Sequence, residues 1–127
     1  MQDDEKIQRL LVAQQAKLAG VTGLLLAGID GRPVAFALEE GAARSTAAVS
    51  ASSIQLARRL ADLLGDGALE EMTVRTTDGY IILNSIGTSW VLTALTVRSA
   101  NIAMINLAFR DLAPQLEELE QSYLISH

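Results

Sequence analysis

The chain has 127 residues, 50% hydrophobic and 20% charged, with no cysteine and a single histidine, His127, at its last position. That apolar supply suits one ordinary core, and the residue types missing from it remove thiol nucleophiles, disulfides and His/Cys zinc sites; no metal and no cofactor are expected. Ten Lys and Arg against fifteen Asp and Glu give a net charge of −5, the wrong sign for holding a phosphate backbone, so nucleic acid is excluded as a partner.

The longest apolar stretch of the first half, Val21 to Ile29, is interrupted by Thr22, Gly23 and Gly28 and falls far short of the ~18 residues of a membrane span. The start is acidic, Asp3-Asp4-Glu5, the reverse of a basic secretory leader, and a cytoplasmic location is expected. Ile7, Leu10, Leu11 and Leu18 recur at helical spacing behind Asp3 and Asp4, and Gly20 stands where the pattern stops. This predicts a first helix over about 4–19.

Val21 to Ile29, the turn residues Asp30-Gly31 and then Pro33-Val34-Ala35-Phe36 predict a hairpin whose first strand is covered on both faces. Pro33 has no N–H for a ladder, which assigns the second strand to a sheet edge. From Ser45, suited to an N-cap, to Gly65, Ala, Ser and Leu dominate without an internal Pro or Gly, and a second helix follows. The segment Gly65-Asp66-Gly67 after it reads as a helix stop and turn. Met72 and Val74 then alternate with Thr73 and Arg75 within Glu70 to Thr76. Tyr80 to Ile86 and Trp90 to Val97 are apolar runs separated by Thr77-Asp78-Gly79 and Gly87-Thr88-Ser89. Three antiparallel strands fit.

After Asn101, Ile102, Ile105, Phe109, Leu112, Leu116 and Leu119 step by three and four, a third helix in which Pro114 predicts a kink or a short break. The class is α/β of the α+β type, with order α-β-β-α-β-β-β-α. Residues 1–121 form one domain and 122–127 a short flexible tail.

The second helix carries two apolar stripes. One is Val49, Ser53, Leu56, Leu60 and Leu63; the other is Ala47, Ala51, Ile54, Ala57, Ala61 and Leu64. One sheet face cannot cover that width, so a further neighbour is needed, inside the chain or from a partner. The remaining sector carries Arg44, Ser52, Gln55, Arg59 and Asp62, with Arg58 beside them and spaced to pair with Asp62. Ser52, Gln55, Arg58, Arg59 and Asp62 are therefore the candidate partner-binding residues.

No phosphate loop, dinucleotide turn, zinc-protease helix or nucleophile elbow occurs. The acid pairs Glu39-Glu40, Glu70-Glu71 and Glu117-Glu118 read as solvated charge, Tyr80 and Trp90 as core or rim aromatics, and no enzyme is expected.

Six features taken in order resemble the Roadblock family, which includes dynein light chains and bacterial MglB-type proteins. They are Gly20-Val21-Thr22-Gly23 closing the first helix, the Asp30-Gly31 turn, the Ala-rich helix stopping at Leu64-Gly65, Ile86-Gly87, the strand from Val91 to Val97, and Asn101-Ile102 opening the last helix. The resemblance spans about residues 5–116. It implies a five-stranded antiparallel sheet with the second helix on one face and the first and third on the other, assembled as a homodimer that binds a small Ras-like GTPase through its paired second helices. Larger MglB-type members carry long terminal extensions that this sequence lacks, which favours GTPase binding over control of turnover. The competing reading is a self-associating structural or sensory module for a small ligand or a signalling partner other than a GTPase.

For the dimer, Pro33 guards one sheet edge and leaves Glu71, Met72, Thr73, Val74 and Arg75 free to pair, with Ala47, Ala51 and Ile54 of the second helix expected beside them. A two-fold axis near Thr73 sets Glu71 of one copy opposite Arg75 of the other, twice.

Overall fold

A computed structural model describes residues 2–65 and 67–126; Asp66 of the expected turn and His127 lie outside the described residues. The elements are α1 (Gln2–Lys17), β1 (Val21–Gly28), β2 (Pro33–Ala37), α2 (Glu40–Leu64), β3 (Glu71–Arg75), β4 (Gly79–Ile86), β5 (Trp90–Val97) and α3 (Ile102–Ser126). The strands form one antiparallel sheet in the order β2-β1-β5-β4-β3.

The continuous apolar run of β1 is explained by its place inside the sheet, where both faces are covered. Leu24 and Leu26 join Ile7 and Leu11 of α1 and Ile105, Phe109, Leu112 and Leu116 of α3 in one core. Leu25 and Ala27 point to the other face and pack with Ala43, Ala47 and Ile54 of α2, together with Leu83 and Val91. Alternation along a strand thus sorts consecutive leucines into separate layers. Each fully buried Leu is worth roughly 1.5–3 kcal/mol against its exposed state, so the leucines of β1 fix the strand's register as well as its burial.

Three boundaries differ from the sequence expectation. α2 begins at Glu40 rather than near Ser45, because Ala43 is buried in the α2-side core and Ala42 donates its N–H to the Glu39 carbonyl at 3.0 Å. α3 passes through Pro114 without a break: Leu112 and Leu116, on either side of it, are both seated in the core, and that packing outweighs one lost backbone bond. The expected tail is helical from Ser122 to Ser126. It is anchored where Tyr123 meets Trp90 edge-on at 5.4 Å between ring centroids and where the Ser122 hydroxyl donates to Asp3 at 2.7 Å.

Candidate interaction surface

α2 presents three sectors to three environments. The sector facing the sheet is built from Ala43, Ala47, Ser50, Ala51 and Ile54, all buried, and the Ser50 hydroxyl accepts from the Thr93 hydroxyl at 2.9 Å. Ala47, Ala51 and Ile54 are therefore spent on the chain's own core and have no surface to give a second copy, which corrects their assignment to a dimer interface. Small side chains win this position because Leu25, Leu83 and Val91 already fill the space above the sheet, and the helix must come close to them.

The second sector is apolar and open. Val49, Leu56, Leu60 and Leu63 are 66%, 66%, 59% and 84% exposed. It runs into a cleft of about 470 Å³ between α2 and the β3–β4 pair, lined by Val49, Ser53, Met72, Val74, Ile81 and Leu83. These exposed side chains recur at helical spacing and so form one apolar row along α2.

The third sector is polar and holds the expected partner-binding residues. Ser52, Arg59 and Asp62 are exposed. Gln55 donates to the Ile29 carbonyl at 2.6 Å, fastening α2 to the turn after β1. Arg58 donates to the Ser85 hydroxyl from Nε at 3.3 Å and from Nη2 at 2.7 Å. The expected pairing of Arg58 with Asp62 is replaced by this contact, which ties the helix to β4 in partly buried surroundings where a hydrogen bond counts for more than an exposed ion pair.

β3 forms one edge of the sheet beside β4. Met72 and Val74 face the α2 cleft, so Glu71, Thr73 and Arg75 belong to the opposite face by alternation, and Thr73 and Arg75 are exposed. At the far edge, Gln8 of α1 does what a neighbouring strand would do. Its Nε2 donates to the Phe36 carbonyl at 2.6 Å and its Oε1 accepts from the Phe36 N–H at 3.0 Å.

The third helix adds two features the sequence reading missed. Glu120 is 5% exposed and its carboxylate accepts from the Ser89 N–H at 2.8 Å, against Gly87, whose φ of 57° makes the β4–β5 turn. Its position eight residues after Leu112 and four after Leu116 was the available signal: a carboxylate on an apolar stripe needs a partner. A second cleft, about 280 Å³, lies between β4 and α3 and is lined by Glu70, Glu71, Asn84, Asn106, Arg110 and Glu117 among others. Of the acid pairs, this gathers Glu70, Glu71 and Glu117 and leaves Glu39 and Glu118 elsewhere. Burial raises the Tyr123 hydroxyl above its usual range, the carboxylates of Asp4 and Asp30 push the same way, and Arg32 opposes them. Among the described residues no cluster of three His, Cys, Asp or Glu suits a metal ion, and no helix is long and apolar enough to cross a membrane.

The chain is thus an antiparallel sheet layered between one helix and two, with one open strand edge at β3 and an exposed leucine stripe on α2. The Roadblock/LC7 domain model matches residues 7–96, and the chain belongs to that family. Solved structures of similar fold include a Roadblock/LC7 domain from Streptomyces avermitilis, with a TM-score of 0.80, 20% identity, and coverage of 93% of this chain and 97% of that one. Myxococcus xanthus MglB has a TM-score of 0.80 at 15% identity, covering 94% and 90%. MglC from the same organism has a TM-score of 0.61 at 16% identity, covering 91% and 98%. No curated protein sequence matches significantly. At family level the chain stands among regulatory and adaptor modules.

Proposed function

We propose that the protein is a homodimeric regulatory module that binds a small Ras-like GTPase across its paired α2 helices. The observation that carries this reading is the division of α2 into a sheet-facing, an apolar and a polar sector, two of which are left uncovered by the chain itself. The apolar sector begins at the cleft that ends at β3, which Val49 and Ser53 line, and continues along α2 as Leu56, Leu60 and Leu63. Antiparallel pairing of two β3 edges about a two-fold near Thr73 brings the two Leu56–Leu60–Leu63 stripes together above the joint, removing apolar surface and an unpaired edge in one step. The polar sectors then remain outward. Gln55 and Arg58 already have partners within the chain, so Arg59, flanked by Ser52 and Asp62, is the side chain freest to meet a third protein. Roadblock membership supports a Ras-like GTPase as that protein.

Regulation in this scheme acts by ordering the partner's own switch segments, since the chain has no phosphate loop with which to hydrolyse nucleotide itself. The test is capture of Ras-like GTPases, loaded with GDP or a GTP analogue, on the immobilised full chain. Arg59→Glu is expected to weaken capture about tenfold or more while leaving the dimer mass and melting temperature unchanged, as befits an exposed position. Failure to capture any loaded GTPase overturns the partner assignment, and unfolding of the variant overturns the exposed role of Arg59.

A further inference from the structure

In the cleft between β4 and α3, the Asn84 amide nitrogen and the Asn106 amide oxygen are both sealed from solvent and have no hydrogen-bond partner. Two such atoms in one small cleft are costly, because each has given up water without replacing it. The cleft is also anionic: Glu70, Glu71 and Glu117 line it against a single cation, Arg110, three carboxylates to one guanidinium. Glu71 is paired directly across from Asn84 in the β3–β4 register. The site thus asks for a planar cation that can donate to a carboxylate and an amide oxygen together.

We propose that this cleft receives the Arg75 side chain of a second copy. The inference rests on the β3-paired dimer proposed above. With the two-fold at Thr73, Arg75 of the other copy lies opposite Glu71, on the face of the sheet that carries α3. Neighbouring strands are about 4.8 Å apart, so it starts two strands from Asn84 and an extended arginine spans the gap over Glu71. Its guanidinium donates to one Glu71 oxygen and, once the Asn106 side chain turns its oxygen toward the mouth of the cleft, to Asn106 Oδ1, and the Asn84 amide donates to the other Glu71 oxygen. Both orphaned amide atoms and the carboxylate are satisfied at once. The fork geometry is what lysine lacks. By symmetry the contact forms twice, sealing the α3 face of the dimer as the leucine stripes seal the α2 face.

The experiment is a set of dimer dissociation constants from sedimentation of the full chain. Arg75→Gln, Arg75→Lys and Asn106→Leu are each expected to weaken the dimer at least about tenfold, since two charge-assisted contacts are lost per dimer. The Arg75→Gln, Asn106→Leu double variant is expected to be no weaker than the worse single, and Arg110→Gln to stay within about twofold of the parent. Asn106→Leu has a second, opposite signature: at dilutions where the chain is monomeric its melting temperature rises, because an unpaired buried polar atom is gone. A parent that dimerises with full tolerance of Asn106→Leu, with independent single effects, or with Arg75→Lys as tight as the parent overturns this inference and leaves the dimer standing. A dependence on Arg110 instead of Arg75 assigns the cleft to the chain's own guanidinium and overturns it equally. A parent that is monomeric overturns both readings.

Discussion

The two edges of the sheet have the same length of strand, five residues each, and opposite fates. β2 starts with Pro33, and the outward N–H and carbonyl of Phe36 are both taken by the Gln8 side chain, so α1 closes that edge from within the chain. β3 has no proline and no side chain laid along it among the described residues, and its α2-facing residues Met72 and Val74 open directly into an apolar cleft. An unguarded edge is a template for pairing, and proteins that do not use such an edge blunt it. In the proposed dimer, closing the β2 edge leaves β3 as the edge that pairs, without ambiguity of partner.

The comparison breaks hardest at the leucine stripe. Leu60→Lys places a charge where two copies bury apolar surface, and it is expected to weaken the dimer by about 100-fold or more, read by light scattering across a dilution series. The fold should survive, since Leu60 is exposed in the single chain and a cation suits a helix end that has none in its last turn. Next in size is the closed edge. Gln8→Ala leaves the Phe36 N–H and carbonyl without partners and is expected to cost roughly 1–3 kcal/mol in denaturant unfolding. It is also expected to add species heavier than a dimer, as the second edge becomes available. The smallest effect is at the β3 charges. Glu71→Arg and Arg75→Glu are each expected to loosen the dimer about tenfold, and the double exchange to recover only the cross-strand part, about 0.2–1 kcal/mol for each pair, because a glutamate at position 75 cannot donate to Asn106. The same masses in all four proteins would rule out this register.

Strands, turns and edges were legible because their signals are local: Pro33, the Asp30-Gly31 turn and the alternation of Met72 and Val74 act within a few residues. The two stripes of α2 were legible too, but which one turns inward was not. That choice depends on how much volume Leu25, Leu83 and Val91 leave above the sheet, a sum over three strands distant in sequence. The same distance hides the partners of Gln55 and Arg58, at Ile29 and Ser85, so the sequence offers the whole polar sector as candidate partner-binding surface, with Arg58 paired to Asp62, when part of it fastens the helix. Gln8 and Glu120 sat among apolar positions, a local oddity that predicts a bond without saying to what. The length of α3 past Pro114 was misjudged because the Tyr123–Trp90 contact that holds its end is likewise non-local.

The chain contains no cysteine, which gives the pairing of β3 edges a direct test in the single variant Thr73→Cys. A two-fold axis at this residue brings the two side chains opposite each other at about 4.5–5.5 Å between Cβ atoms, close enough for a disulfide after small adjustment. The account predicts near-complete, reductant-sensitive linkage into a covalent dimer under mild oxidation, with Ser99→Cys, in the turn between β5 and α3, staying unlinked. Equal linkage of both variants, or a Thr73→Cys protein that remains uncrosslinked at concentrations where the parent is dimeric, would contradict it.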